Sequence, residues 1–309
     1  MKKTYNIAVI ITCFNRCRLT VESLKALYLS RDNYNNAHKE EELALTLFLT
    51  DDGCTDGTAE TVLATFPGEE INIVKGDGSL YWAGGMRKAW KAAMEEYARW
   101  HFYILLNDDT QCMPEALGIL MDTQKQLQKM HGMEGIVSGV CQSPDGKTIT
   151  YGAEYYTRPL IGKSLIMHPT GKPEPCYRTN ANLVLVASNV VSTIGMFDDG
   201  FIHSCADWAY GIKACKAGLP VYITPVACAI CDNDHGNVSD EGEKVMKMNL
   251  SERKAFFSHP LRATSDKLLF MKRYYKEKYL ILLFARTLAV YMPSLYYRLL
   301  LARPLKPKK

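Results

Sequence analysis

Two pairs of adjacent carboxylates mark where this chain would do chemistry: Asp51 with Asp52, and Asp108 with Asp109, the second pair preceded by Asn107. Each pair follows an apolar run, so each lies where a buried strand would end. Neighbouring carboxylates repel one another, and taking them out of water is costly unless a cation or hydrogen-bond donors hold them. Hard oxygen ligands of this kind suit Mg²⁺ or Mn²⁺. Turn and helix-cap formation also uses Asp and Gly and accounts well for Asp56, Gly57 and Thr58, but poorly for the two pairs. A glycine-rich stretch from Gly76 to Arg87, GDGSLYWAGGMR, is the most distinctive segment. Glycine permits close backbone approach to a ligand; Gly84 and Gly85 are expected to open a helix whose amides face phosphate, with Arg87 one turn in adding a charge-assisted contact. Trp82 would either stack on a ligand ring or pack beneath the loop. Later in the chain, Asp207 is the only acid of the block DWAYGIKACKAG, and His235 lies in a short polar segment after an apolar run.

The elements that must position these residues can be read from the hydrophobic pattern. Apolar, β-branched runs at Ile7 to Ile11, Leu43 to Leu49, Ile71 to Val74 and Phe102 to Leu106 alternate with helical patterns. Those helical patterns cover Val21 to Leu29, Thr58 to Thr65, Gly85 to Trp100 and Pro114 to Lys129. This alternation predicts a mainly parallel sheet covered by helices. In such open sheets ligands bind outside the carboxyl ends of the strands, where Thr12 to Arg16, Asp51 to Thr58 and Asn107 to Asp109 fall.

At 309 residues the chain can form one large α/β domain or two modest ones, and 47% hydrophobic with 23% charged residues excludes a disordered or fibrous protein. The net charge of +4 hides an asymmetry: residues 251 to 309 hold 14 Lys and Arg against 3 Asp and Glu, so the body before them is acidic. The ten cysteines lack the spacing of a disulfide framework, which points to a reducing cytoplasm. Cys228 and Cys231 form an isolated CxxC that continues an apolar run, without a second pair to complete a zinc site. No stretch reaches the roughly 20 apolar residues needed to span a bilayer.

In four ordered blocks the sequence resembles family 2 of the inverting glycosyltransferases, which have the GT-A fold, a Rossmann-like α/β architecture. The blocks are the opening strand with Thr12 to Arg16, DDGCTDGT from Asp51 to Thr58, Asn107 to Asp109 in place of the family's DxD, and the helix opened by Asp207. Together they span about residues 5 to 237. The segment around Trp82 to Arg87 resembles the rhamnosyltransferase-like branch. The resemblance implies a UDP- or dTDP-sugar donor, with Asp52 accepting the imide proton of the base, Thr12 and Phe14 lining it and Arg16 near the phosphates. Asn15, Asp51, Gly76, Asp77, Trp82, Gly84, Gly85, Arg87 and Asn107 complete the expected donor site. It further implies Asp109 as the direct metal ligand, Asp108 near the ribose or a metal-bound water, His235 at the metal or pyrophosphate, and Asp207 as the base that deprotonates the acceptor. Asn107 at the head of its triplet leaves open how many protein oxygens the metal receives. The family often has Glu-Asp at the catalytic block and a further acid two residues later, where this chain has Ala206 and Ala209. The acceptor class implied is a glycan, free or lipid-linked. Two rivals differ in chemistry. A sugar nucleotidyltransferase would need a glycine-rich phosphate loop after the first strand, and Cys13 to Leu19 contains no glycine. A non-catalytic nucleotide- or glycan-binding module would bind without transfer.

The expected division is a GT-A domain over residues 1–245 and a basic, amphipathic helical extension over 246–309. In the extension, apolar and aromatic residues at helical spacing alternate with Lys272, Arg273, Lys276, Lys278 and Arg286. That pattern suits a helix on an anionic membrane surface, which would put the enzyme at the inner face of the cell membrane. Packing on the catalytic domain or at a homo-oligomer interface is the rival reading. The acidic body and the absence of a recognition motif argue against nucleic acid.

Overall fold

The computed structural model describes residues 2–96, 100–157, 164–232, 244–262 and 264–301. Its first half alternates strand and helix: β1 (Lys3–Cys13), α1 (Cys17–Ala37), β2 (Glu41–Asp51), α2 (Thr58–Thr65), β3 (Glu70–Lys75), α3 (Tyr81–Glu95) and β4 (Phe102–Leu106). There follow β5 (Gln111–Cys112), α4 (Ala116–His131), β6 (Ile136–Gln142), β7 (Ile149–Tyr151), β8 (Glu154–Tyr156), β9 (Ser164–Ile166) and β10 (Glu174–Pro175). Then come β11 (Leu183–Ala187), α5 (Ser188–Ile194), α6 (Ala206–Lys216) and β12 (Val221–Ile230). The chain divides into two compact units, Met1–Asp199 with Ala206–Asn233, and Gly200–Cys205 with Asp234–Lys309.

The first unit is built on a sheet of order β10-β12-β6-β11-β4-β1-β2-β3. Strands β4, β1, β2 and β3 run parallel, as do β6 and β12, while β11 is antiparallel to both β4 and β6. This is the mainly parallel α/β arrangement that the sequence pattern predicts. Ile7 to Ile11 are buried without alternation because helices cover both faces of a parallel sheet. Register decides where the chemistry lies: Cys13 stands opposite Asp51, Asp51 opposite Lys75, and Ile10 opposite Leu105. The chain therefore leaves β1, β2, β3 and β4 at one edge of the sheet.

Two helices differ from their sequence pattern by a turn or more. Helix α1 continues past Leu29 to Ala37 because its polar C-terminal residues find distant partners: Arg31 pairs with Glu69, and the Asn35 side chain bonds both backbone groups of Leu43. Helix α3 begins at Tyr81, one turn before Gly85, for a reason that belongs to the site.

The second unit is helical: α7 (Leu250–Ser258), a 3₁₀ turn at Pro260–Arg262, α8 (Thr264–Tyr274), α9 (Lys276–Tyr291) and α10 (Pro293–Leu301). Asn249 and Glu252 form a capping box at the start of α7. Pro293 cannot continue α9 but suits the first position of α10, so the chain breaks there. Asp266 accepts the amides of Ile202, His203 and Ser204, tying the short segment to α8.

Candidate functional site

Both carboxylates at the end of β2 are held by donors. Asp51 accepts the Cys54 amide at 2.8 Å and the Lys75 ammonium at 2.7 Å. Burial opposes its ionisation, but Lys75 and the Cys54 amide prevail and keep its carboxyl below the usual range. Asp52 is buried, and its oxygens accept three backbone amides, those of Gly78 (2.9 Å), Leu80 (3.0 Å) and Tyr81 (3.1 Å). This carboxylate thus caps α3 from 28 residues away. The cap explains why the helix starts at Tyr81 and corrects the expectation that Gly84 and Gly85 open it: they lie in the second turn, where their amides belong to the helix. Gly85 is required for another reason. A β-carbon there would stand 2.1 Å from Thr12 Oγ1, because the helix lies directly on β1. A β-carbon at Gly76 would likewise meet Asp52 Oδ1 at 2.4 Å. Tyr81 itself takes φ +52°, a left-handed conformation costly for a bulky residue and found where surrounding structure over-determines the backbone.

The remaining loop residues divide into contacts within the loop and contacts across the site. Asp77 accepts the amide and hydroxyl of Ser79, a local turn. The Trp82 indole donates to Asn107 Oδ1 at 2.8 Å, tying the loop to the end of β4, and its ring centroid lies 5.6 Å from that of Phe197. The Asn107 oxygen is therefore engaged by Trp82. Arg87 reaches Asp198 O at 3.3 Å and Asp199 Oδ1 at 3.5 Å.

On the β1–α1 turn, Thr12 packs against Gly85 and donates to Thr50 O, whereas Phe14 is 53% exposed beside Gly78. Asn15, at φ +51°, accepts the Thr55 amide at 2.7 Å and so joins this turn to the β2–α2 loop. Arg16 bridges the second carboxylate pair, with Nη1 3.0 Å from Asp108 Oδ1 and Nη2 2.8 Å from Asp109 Oδ2. Burial pushes Asp108 up to about 7 against the pull of Arg16, and the Asp109 charge adds to the rise. The two adjacent carboxylates offer the hard oxygen donors that a divalent cation takes, and in this structure Arg16 occupies them. Among the described residues no group of three or more His, Cys, Asp and Glu gathers as a metal site would. His235 lies outside the described residues.

Asp207, in the first turn of α6, is half-buried, and its oxygens accept the amides of Ala181 (3.1 Å) and Trp208 (2.9 Å). Burial raises its pKa to about 6, opposed by those amides and assisted by the charge of Glu154. Ala181 is the neighbour of Asn182, whose carbonyl accepts the Asn107 amide at 3.0 Å. The residues just before β11 therefore join Asp207 to the turn after β4, where Asp108 and Asp109 lie.

The family model for glycosyl transferase family 2 matches residues 8–177, more than half of the chain, through all three strand-end blocks. The chain belongs to glycosyl transferase family 2. A crystal structure of S. aureus TarS 1-349 is similar in fold, at 13% identity and a TM-score of 0.50, over 89% of this chain and 72% of that one. A crystal structure of the same protein in complex with UDP matches with the same identity, coverage and score. A search of curated proteins finds no match.

Several residues around this candidate site carried no sequence signal. Lys75 pairs with Asp51 from the neighbouring strand, and Asn182 links β4 to the Asp207 region. Arg178 has no exposed side-chain surface; it pairs with Glu154 at 3.2 Å and lies 4.0 Å from the Trp208 ring and 4.3 Å from the Tyr156 ring. A lone Arg in YRTNAN has no spacing that announces such a setting.

Proposed function

We propose that the protein transfers a sugar from a UDP- or dTDP-sugar to a hydroxyl of a glycan acceptor with inversion at the anomeric carbon. The observation that carries this reading is the junction at Ala181, Asn182 and Asn107, which links a half-buried carboxylate of raised pKa to the strand end followed by the Asp108 and Asp109 pair. The acceptor oxygen attacks the anomeric carbon, the bond to the diphosphate breaks on the opposite face, and Asp207 takes the hydroxyl proton. A base of pKa about 6 is ionised at neutral pH yet close enough to it to accept a proton efficiently. Asp109 and Asp108 would hold Mg²⁺ or Mn²⁺, which as a Lewis acid neutralises charge on the leaving diphosphate. In this reading Arg16 turns from the carboxylates to the phosphates. Phe14, exposed beside Gly78, offers a ring for the base, and the UDP complex of a protein with the same fold supports a uridine nucleotide. The resemblance of the Trp82 to Arg87 segment to the rhamnosyltransferase-like branch is what favours a deoxyhexose donor of the rhamnosyl type.

Separate Asp109→Asn and Asp207→Asn variants test the assignment. Calorimetry with UDP and Mn²⁺ should show lost binding in the first and retained binding in the second, with transfer lost in both. Metal-dependent nucleotide binding by a wild-type protein that neither hydrolyses nor transfers from any donor would favour the non-catalytic module instead.

We also propose that the helical unit rests on anionic lipid at the cytoplasmic face, which brings the enzyme to a lipid-linked acceptor. Helices α9 and α10 expose Leu280 (67%), Ile281, Phe284 (64%), Tyr291, Leu295 and Leu299, with Lys276 and Arg298 on the same helices. Exposed apolar surface with basic residues among it suits the boundary between headgroup and acyl chain. No helix among the described residues is long and apolar enough to cross a membrane. Co-flotation with phosphatidylglycerol vesicles but not phosphatidylcholine vesicles, lost in a Leu280→Glu/Phe284→Glu variant, is the expected result; flotation with neither would refute it.

A further inference from the structure

We infer that Glu154 is a positioning residue for Asp207, a second carboxylate held beside the proposed base by the segment Arg178 to Ala181, with Arg178 as its counter-charge. The inference rests on the reading of Asp207 as base. Helix α6 offers no acid next to Asp207, since Ala206 and Ala209 occupy the adjacent positions on its inner side. A carboxylate from a different element takes that place. Four consecutive residues hold the two acids: Arg178 pairs with Glu154 at 3.2 Å, Thr179 donates its hydroxyl to Asp207 O at 3.3 Å, Asn180 donates to Glu154 Oε1 at 3.4 Å, and the Ala181 amide donates to Asp207 Oδ2 at 3.1 Å. The Glu154 amide in turn donates to Arg178 O at 2.9 Å, so the segment is bonded to β8 on one side and to α6 on the other. Gly211 lets α6 lie close: a β-carbon there would stand 2.7 Å from Tyr177 O.

The electrostatics agree with this geometry. Asp207 faces the Ala181 and Trp208 amides and the Glu154 charge, while Glu154 faces Arg178, Ser164 and Asn180. A negative charge near a carboxylate favours its protonated form, and a guanidinium bound to that neighbour weakens the effect. Glu154 therefore keeps the base from becoming too weak, and Arg178 keeps it from staying protonated at neutral pH. Arg178 lies between aromatic rings of β8 and α6, which help to fix the guanidinium.

The test needs no donor or acceptor. In full-length protein carrying ¹³C-labelled Asp side chains, the Asp207 carboxyl signal is assigned by its loss in Asp207→Asn and titrated by NMR. Glu154→Gln should lower the Asp207 midpoint by roughly half a unit to one unit. Arg178→Met, which removes that counter-charge from Glu154, should raise it. An unchanged or raised midpoint in folded Glu154→Gln overturns the inference; if that variant does not fold, an Arg178→Met midpoint that fails to rise does so. The base reading fails separately, through an Asp207→Asn variant that still transfers sugar, and the midpoint shifts would then remain.

Discussion

Replacing Asp52 by Asn removes one acceptor from a cradle of three amides and changes little else in shape. The less costly placement of the new side chain keeps its oxygen on the Leu80 and Tyr81 amides, at 3.0 and 3.1 Å in the native protein, and turns its NH₂ toward the Gly78 amide, formerly bonded at 2.9 Å. Two donors then face each other in a buried site. The lost charge-assisted bond and the unpaired amide cost about 1.5 to 3 kcal/mol, and weakening two charged bonds to neutral ones adds about 1 to 2 kcal/mol. For a domain of this size each kcal/mol lowers Tm by roughly 2 to 4 °C, so a fall of roughly 5 to 20 °C is expected. Differential scanning calorimetry measures it directly, and calorimetric titration with UDP should show binding lost as the start of α3 loosens. Asp77→Asn is the control: Asp77 is exposed and bonded only within its own turn, and the same substitution there should shift Tm little. An Asp52→Asn protein that melts within a degree or two of wild type would refute the idea that this carboxylate organises the loop.

Gly85→Ala should lower stability by about 1 to 3 kcal/mol through overpacking against Thr12, read as a reduced urea midpoint at unchanged slope. Asp207→Asn should abolish transfer while moving Tm little: the lost burial penalty on the carboxylate is offset by one amide left facing NH₂, each about 1 to 3 kcal/mol. Wild-type kcat/KM should fall as pH drops through about 6, because Asp207 must be ionised to accept the acceptor proton, and a flat profile from pH 5 to 8 would contradict that role. Arg16→Gln should bind Mn²⁺ more tightly in the absence of nucleotide, since Arg16 occupies both carboxylates in the free protein, yet bind UDP more weakly; electron paramagnetic resonance of free Mn²⁺ distinguishes the two effects.

The helix boundaries mark where sequence reading ends. Thr58–Thr65 is a helix as its local pattern predicts, and its cap comes from residues within the same turn, Asp56 and Gly57. Helix α3 begins a turn earlier than its pattern predicts because its cap is Asp52, just past the end of β2. Local periodicity records burial along one element; it holds no trace of a carboxylate that arrives from across the sheet.

The same division runs through the site. Short apolar runs ending in paired acids determined by themselves that the chain forms a mainly parallel sheet and that the paired acids stand at the carboxyl ends of its strands, because strand burial and charge desolvation act on neighbouring residues. Only the tertiary structure decided what each acid does in the free protein. Asp52 binds amides, Asp51 binds Lys75, and Asp108 and Asp109 bind Arg16, although all four appear alike as paired acids in the sequence. It also decided that Glu154 and Arg178 stand beside Asp207, since that neighbourhood depends on the packing of β8, the segment before β11, and α6, which are brought together by the fold and by no spacing along the chain.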